Sequence, residues 1–186
     1  MNHDIDVIQL NVAGSHLRVH SMLNDKSYQA ASILLVQDPW WGRIGYDKSI
    51  DPTSINIYGT TNSPFWMCFI PPGISGPKGP GVSIYVRRDV PGLHAQYSDI
   101  LPPHPDILAV DIIYNGSITT LVNVYIHGDN KRYEDALNHL YRGFKISRAL
   151  HYSGYSESAS SAKQVLLWKA FQSNSGVSRA SRGNLS

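Results

Sequence analysis

Cysteine and long apolar runs are scarce in this sequence. Cys68 is the single cysteine, so no disulfide can form within the chain, which favours a reducing, intracellular setting. No apolar run approaches the roughly 20 residues that span a bilayer. Residues 1–4 also lack a basic region followed by an apolar one, so we expect neither a secretory signal nor a membrane span. Nothing in the composition separates a nuclear from a cytoplasmic location.

Charged residues are also few, at 16% of the 186 residues, and they are unevenly distributed. Residues 1–141 contain nine Lys or Arg and 13 Asp or Glu, whereas residues 142–186 contain seven Lys or Arg, 11 Ser and a single acid, Glu157. We therefore predict one domain over residues 1–141 and a basic, Ser-rich tail over residues 142–186 that is disordered or partly helical. Contact of the tail with nucleic acid is the alternative.

An apolar run that ends in a carboxylate organises the sequence. Ile33–Val36 are continuously apolar, which predicts a strand buried on both faces. Pro39 ends that strand because proline has no N–H to donate. Asp38 therefore stands where the buried strand reaches the surface, a position suited to holding a metal ion. The alternative is that Asp38 and Pro39 simply open a turn.

The residues before this run predict a strand and a helix. Ile5–Val12 mostly alternate, as in a strand, and Ser15 is suited to cap a helix that reaches about Asn24, with an extension into residues 28–31 left open. A strand, a helix and a strand in this order usually give parallel neighbours. Asn11 and Asp38 should then emerge at the same edge of the sheet, where the ligands of α/β folds collect.

The rest of the chain is predicted to be rich in β-structure. Strands are expected at residues 55–58, 65–70, 81–88, 108–114 and 118–125, with a hairpin turn at Asn115-Gly116. The glycine-rich residues 73–81 lack the Lys-Ser/Thr ending and the following helix of a phosphate-binding loop. Residues 133–141 predict an amphipathic helix, and Val165–Phe171 are interpreted as a short amphipathic helix in the tail.

Four segments, taken in order, resemble the endonuclease/exonuclease/phosphatase superfamily. They are Leu10-Asn11-Val12, Leu34–Trp40, Gly81–Val86 and Val122–Tyr125. The branch found in LINE-type retrotransposons is the closer match, because its first strand ends in Leu-Asn-Val and its next in Gln-Glu-Pro-Trp. The resemblance covers residues 4–141 and implies the N-terminal part of a DNase I-like, two-sheet α/β sandwich.

The resemblance implies metal-assisted phosphodiester cleavage, with Mg²⁺ as the cofactor and DNA as the partner. It places Asn11 beside the metal, Asp38 at the position of the family's Mg²⁺-binding glutamate, and Tyr125 near the scissile phosphate. These residue types suit that chemistry, because a hard cation prefers oxygen ligands and a phenol can donate to an oxyanion.

Three further residues are candidates for contact with nucleic acid. Trp40 could stack on a base, and Arg87 and Arg88 could meet a phosphate backbone. The alternatives are core or rim packing for the tryptophan and a solvated strand end for the arginines.

Two motifs of the superfamily are absent from this sequence. The family continues with a strand ending in Gly-Asp-Phe-Asn and finishes with a Ser-Asp-His segment, and neither follows Tyr125 here. We therefore predict a truncated, retrotransposon-derived endonuclease-like fragment that is weak or inactive, and leave open whether it is an enzyme. The alternatives are a non-catalytic nucleic-acid-binding remnant and a relic without a selected function. The sequence does not indicate an oligomeric state.

Overall fold

The computed structural model describes residues 5–47, 55–126, 134–136 and 138–143, together with two strands at 164–169 and 178–179. Its helices are α1 (His16–Asn24), α2 (Lys26–Gln29) and α3 (134–136 and 138–143). Its strands are β1 (Val7–Asn11), β2 (Ile33–Gln37), β3 (Gly42–Asp47), β4 (Ile55–Gly59), β5 (Trp66–Phe69), β6 (Val82–Arg87), β7 (His94–Tyr97), β8 (Ile107–Tyr114), β9 (Ser117–Val124), β10 (Gln164–Lys169) and β11 (Ser178–Arg179). None of the described helices is long and apolar enough to span a membrane.

The strands form two packed sheets and a separate hairpin. One sheet has the order β11-β1-β2-β6-β5, the other has the order β10-β9-β8-β7, and β3 pairs with β4 alone. Apolar side chains from both larger sheets fill the layer between them. The α1 helix covers the outer face of the first sheet, and α3 covers the outer face of the second. The architecture is therefore the two-sheet α/β sandwich that the sequence predicts.

The β2 strand is buried on both faces, as predicted. Ile33 and Leu35 point into the layer between the sheets, whereas Leu34 and Val36 point outward against α1. All four are 0% exposed, so the continuous apolar run follows from the two layers that enclose this strand.

The predicted helix after the first strand is confirmed, but its extension is a separate helix. Ser15 caps α1 by accepting a hydrogen bond from the Arg18 N–H (3.3 Å). Asp25 has an extended backbone, which ends α1, and its side chain accepts from the Ser27 N–H (2.8 Å) to begin α2. Asp25 separates the two helices because aspartate favours the N-cap position over the interior of a helix.

The hairpin predicted at Asn115-Gly116 joins β8 to β9. Asn115 has a φ of 50° and Gly116 a φ of 75°. Two successive positive φ values match the twist of the flanking strands, and Asn-Gly is the pair that adopts them most readily.

The β10 strand differs from the helix expected at Val165–Phe171. Residues 165–169 belong to β10, which pairs in parallel with β9, with Leu166 opposite Leu121. A short apolar run has no periodicity that separates a strand from a helix, and here an open sheet edge decides for a strand. The boundary at residue 141 stays a prediction, although strands from both sides of it pair in each sheet.

Candidate functional site

The ends of β1 and β2 meet at one edge of the first sheet. These strands are parallel, with Asn11 opposite Gln37, and the Val12 N–H donates to the Gln37 carbonyl (3.1 Å). Asp38 is the next residue, and its carbonyl accepts from the Gly14 N–H (2.7 Å). The prediction that Asn11 and Asp38 emerge side by side is therefore confirmed.

Asp38 is held in an uncommon backbone conformation. Its φ is 47°, in the left-handed region, where aspartate and asparagine are more frequent than other residues with a side chain. Its N–H donates to the Gly81 carbonyl (2.8 Å), and its side chain is half-buried. The backbone of Asp38 is thus fixed by a bond on each side, while part of its side chain still reaches solvent.

Gly81 lies where the ends of four strands come together. A Cβ atom on Gly81 would lie 2.4 Å from Asp106 Oδ1 and 2.8 Å from Tyr125 Cδ1, both too close for any side chain. The Gly81 N–H donates to the Pro105 carbonyl (2.9 Å), while its own carbonyl accepts from Asp38. Glycine therefore allows a close approach here, and Tyr125 and Asp38 each adjoin Gly81. Direct proximity of Tyr125 to Asp38 stays a prediction.

Asp106 is a second carboxylate at this edge, which the sequence analysis did not single out. It is 8% exposed, and its carbonyl accepts from the Tyr125 N–H (2.9 Å). Its own N–H donates to His104 Nδ1 (3.1 Å), so neutral His104 carries its proton on Nε2, which faces Asp135 Oδ2 (3.3 Å). These bonds connect α3 to the end of β9. No periodic pattern marks Asp106, since it precedes its strand within a proline-rich loop.

A shallow pocket of about 320 Å³ opens beside Gly81. It lies between the loops at residues 72–79 and 103–105, and its polar lining comes from Ser75, Lys78 and His104. Its volume is at the lower end of the range for small-ligand sites.

Two buried amides connect the two sheets behind this edge. Gln37 Nε2 donates to the Val124 carbonyl (2.7 Å), and Asn123 Nδ2 donates to the carbonyls of Val36 and Ser83 (3.0 Å each). Gln37 is 2% exposed and Asn123 is 0% exposed. We call these two side chains the amide pair. Each could have been recognised in the sequence as an amide at an inward-facing position of an otherwise apolar strand.

The Asn123 amide has one orientation that fits its surroundings. Both of its near neighbours are carbonyl oxygens, so the nitrogen must face them. Its Oδ1 is buried with no hydrogen-bond partner among the described residues. An unpaired buried acceptor destabilises a fold by about 1–3 kcal/mol, a penalty that leucine at this position would not carry.

The side chain of Asn11 is exposed and bonds within its own turn. Its Oδ1 accepts from the Ala13 N–H (2.8 Å), which holds the β1–α1 connection in place. Ala13 and Gly14 both have positive φ values, of 51° and 62°. Ala13, Gly14 and Asp38, which lie at the same end of the sheet, therefore all have backbone angles in the left-handed region. Such conformations are concentrated at functional sites.

The two tryptophans after Asp38 point to different neighbours. Trp40 packs edge-on against His16 of α1, with ring centroids 4.4 Å apart. Trp41 donates from Nε1 to the Gly76 carbonyl (2.9 Å) and so holds the glycine-rich loop. Half-buried rim packing accounts for both rings. Base stacking by Trp40 stays a prediction.

Arg87 and Arg88 lie at the opposite edge of the sheet from Asp38. The β6 strand runs antiparallel to β2, so Arg87 is next to Ser32 at the start of β2 and donates its N–H to that carbonyl (2.9 Å). Arg87 forms an ion pair with Asp89, and Arg88 Nε donates to the Trp66 carbonyl (3.1 Å). The structure therefore does not bring the arginines together with the other predicted site residues, and their contact with nucleic acid stays a prediction.

The side chains at this end of the sheet offer oxygen atoms as possible metal ligands. No group of three His, Cys, Asp or Glu within the described part of the chain is arranged to hold a metal ion. Asp38 and Asp106 supply carboxylates, and one or two carboxylates are what proteins commonly offer to Mg²⁺, which keeps several waters. The residues present thus fit a weakly held Mg²⁺. Burial raises the pKa of Cys68 to about 12, so this thiol is not a nucleophile at neutral pH.

Solved structures that are similar to this chain include an endonuclease domain and a bacterial protein. The endonuclease domain of TRAS1, a telomere-specific non-LTR retrotransposon, has a TM-score of 0.49 and 20% identity, and the match covers 74% of this chain and 52% of that domain. An endonuclease/exonuclease/phosphatase family protein from Leptotrichia buccalis C-1013-b has a TM-score of 0.40 and 11% identity, covering 82% of this chain and 63% of that protein.

The chain spans about half of the TRAS1 domain and less than two thirds of the bacterial protein. No protein-family model and no curated protein matches the sequence.

Proposed function

We propose that this protein is a retrotransposon-derived, endonuclease-like fragment in which Mg²⁺-dependent phosphodiester cleavage is weak or absent. The observation that supports the proposal is that Asn11 and Asp38 follow neighbouring parallel strands at one end of the sheet, and that Tyr125 lies beside Gly81, whose carbonyl accepts from the Asp38 N–H. These are the residues that the sequence resemblance assigns to the metal and the scissile phosphate. DNA is the partner that the resemblance implies.

Each of the three residues has a role that its chemistry allows. The half-exposed carboxylate of Asp38 would hold the cation. Mg²⁺, when bound, polarises a phosphoryl oxygen and stabilises the charge that develops on it. Asn11 would orient the metal site through its amide, and Tyr125 would bind the phosphate by donating from its hydroxyl.

Three features support a low rate of cleavage. Aspartate is one methylene shorter than glutamate, which withdraws the Asp38 carboxylate by roughly 1.5 Å, and a misplacement of about 1 Å can lower a rate on the order of 10²-fold. Tyr125 is only 6% exposed, so little of its phenol reaches solvent. The missing Gly-Asp-Phe-Asn and Ser-Asp-His motifs remove general acid–base groups that typically contribute about 10²–10⁴-fold each.

Nicking of supercoiled plasmid with Mg²⁺ or Mn²⁺ tests this proposal. The parent protein is expected to nick slowly or not at all, and Asp38→Ala to abolish any residual metal-dependent nicking. Asp38→Glu restores the missing methylene and is expected to raise the rate by up to about 10²-fold. Thermal melts of both variants check that each one folds.

One outcome would contradict the proposal, and a second would favour the alternative of a non-catalytic binder. Robust Mg²⁺-dependent nicking by the parent that disappears in Asp38→Ala would make the protein a working nuclease. Retention on DNA that falls steeply with salt, without nicking by the parent or Asp38→Glu, would favour a non-catalytic binder.

A further inference from the structure

The amide pair lies directly behind the residues of the candidate site. Gln37 immediately precedes Asp38 at the end of β2. Asn123 lies two residues before Tyr125 at the end of β9. Each amide donates to the backbone of the opposite sheet, so two side-chain hydrogen bonds connect the strand ends that carry Asp38 and Tyr125, and a third joins Asn123 to Ser83 of β6.

These bonds require the sheets to approach closely at this edge. An asparagine side chain reaches at most roughly 4 Å from Cα to Nδ2. Adding the 3.0 Å bond to the Val36 carbonyl places the opposite backbone within roughly 7 Å of the Asn123 Cα atom. Sheets in sandwiches usually stack about 10 Å apart. The rest of the layer between the sheets is filled by apolar side chains, whose contacts have no preferred direction.

We propose that Gln37 and Asn123 are positioning residues that fix the separation between Asp38 and Tyr125. Hydrogen bonds to backbone carbonyls are directional, so they hold the two strand ends in one relative position. This role rests on the proposed function, because a fixed separation matters only where Asp38 and Tyr125 act on one bound group. The same bonds hold the end of β2 that carries Asp38, so removal of either amide also loosens the Asp38 carboxylate and weakens cation binding there without unfolding the sheets.

Two substitutions remove the bonds and keep the volume. Gln37→Met removes the donor to the Val124 carbonyl, and Asn123→Leu removes the donors to the carbonyls of Val36 and Ser83. Thr120→Val is the matched control, since it deletes the buried bond from Thr120 Oγ1 to Asp111 (2.6 Å), which joins β9 to its neighbour within the same sheet. If Asn123→Leu does not fold, Gln37→Met carries the test alone.

Amide hydrogen exchange measures the positioning without any cation. The Asp38 and Tyr125 amides donate to Gly81 and Asp106, and they are expected to exchange about tenfold faster in Gln37→Met and Asn123→Leu. Mid-strand amides of β2 should change less, and Thr120→Val should leave the Asp38 and Tyr125 amides unchanged. Equal acceleration along the whole of β2, or none at Asp38 and Tyr125, would overturn the proposal.

Terbium binding measures the consequence at Asp38. Tb³⁺ stands in for a hard, oxygen-seeking cation, and Trp40 and Trp41 can sensitise its luminescence from two and three residues away. The dissociation constant is expected to rise about tenfold in Gln37→Met and Asn123→Leu and to stay unchanged in Thr120→Val. Faster exchange with unchanged Tb³⁺ affinity would overturn the positioning role, because the amide pair would then be structural alone.

Failure of the proposed function would look different. Equal Tb³⁺ binding by the parent and Asp38→Ala would show that Asp38 holds no cation. Cation binding that depends on Asp38 but not on the amide pair would leave the proposed function standing and overturn the positioning role.

Discussion

The two ends of the β2–β6 pair both carry polar side chains, but they use them differently. At the Asp38 end, backbone bonds hold Asp38 and Gly81 in place, and part of the Asp38 side chain still faces solvent. At the Arg87 end, the guanidinium pairs with Asp89, donates to the Gln29 carbonyl and lies over the Trp66 ring at 5.3 Å. Backbone bonds fix the main chain of Asp38 and Gly81 at one end, whereas side-chain bonds hold the Arg87 guanidinium at the other.

The bonds of the Arg87 guanidinium identify the far end as a structural edge. A ligand group needs donors or acceptors that are not already bonded within the protein. The Arg87 guanidinium has an acceptor on each side, so it has little capacity left for a phosphate. A charged pair in sequence, such as Arg87-Arg88, therefore does not by itself indicate a nucleic-acid contact.

The largest expected effect is at the Asp38 end. Gly81→Ala places a Cβ atom against Asp106 Oδ1 and the Tyr125 ring, and is expected to destabilise the fold by about 1–3 kcal/mol through overpacking. Urea unfolding followed by circular dichroism measures this. Gly45→Ala is the matched control, because its Cβ would meet nothing within 4 Å and should change stability by less than about 0.5 kcal/mol. Equal effects of the two variants would refute close packing at Gly81.

A smaller effect is expected at the other end. Arg87→Met keeps the aliphatic stem over Trp66 but removes the charged bonds, which should destabilise the fold by about 1–2 kcal/mol. Arg88→Met is the comparison, since Arg88 is exposed and makes one side-chain bond, to the Trp66 carbonyl.

The two arginine variants also test the predicted nucleic-acid contact. Retention on DNA is measured at several salt concentrations, and the slope of log affinity against log salt concentration counts the phosphate contacts. Arg87→Met should leave this slope unaltered, because that guanidinium is already bonded within the protein. Any decrease in the slope should come from Arg88→Met. A reduced slope in Arg87→Met would show that the far edge binds phosphate after all.

The smallest expected effect is on pH dependence at the far end. The Arg87 guanidinium donates to Asp89 and holds the pKa of that carboxyl below its usual value of roughly 3.9. A carboxyl with a lowered pKa in the folded state contributes stability above its unfolded pKa and loses it as pH falls through the folded pKa. Stability should thus be insensitive to Asp89 near neutral pH and decline below about pH 4.

The control for this pH dependence is Asp89→Asn. Ser27 lowers the pKa of Asp25 in the same way, so some acid sensitivity should persist in that variant. Chemical shifts of the Asp89 carboxyl, followed by NMR from pH 2 to 6, report the pKa directly. A midpoint above that of an unfolded aspartate would contradict the ion pair.

Local patterns predicted most of the elements that position the site. The apolar run at Ile33–Val36, the Ser15 cap and the Asn115-Gly116 turn each depend on the chemistry of a few adjacent residues. The strand-helix-strand order then placed Asn11 and Asp38 at one edge, since parallel strands end on the same side. The prediction of a helix at Val165–Phe171 is wrong over residues 165–169, which form a strand. The reason is that β9, which is far away in the sequence, pairs with this segment.

The sequence by itself thus determined the buried strand, the first helix, the hairpin and the shared edge of Asn11 and Asp38. Only the tertiary structure decided that Gly81 must lack a side chain, that Asp106 joins the edge, and that Gln37 and Asn123 connect the sheets. It also decided that Arg87 is occupied by Asp89 and lies at the far edge. The physical reason is that each of these features depends on a contact between strands from different parts of the chain, and such contacts leave no periodic signal in any one of them.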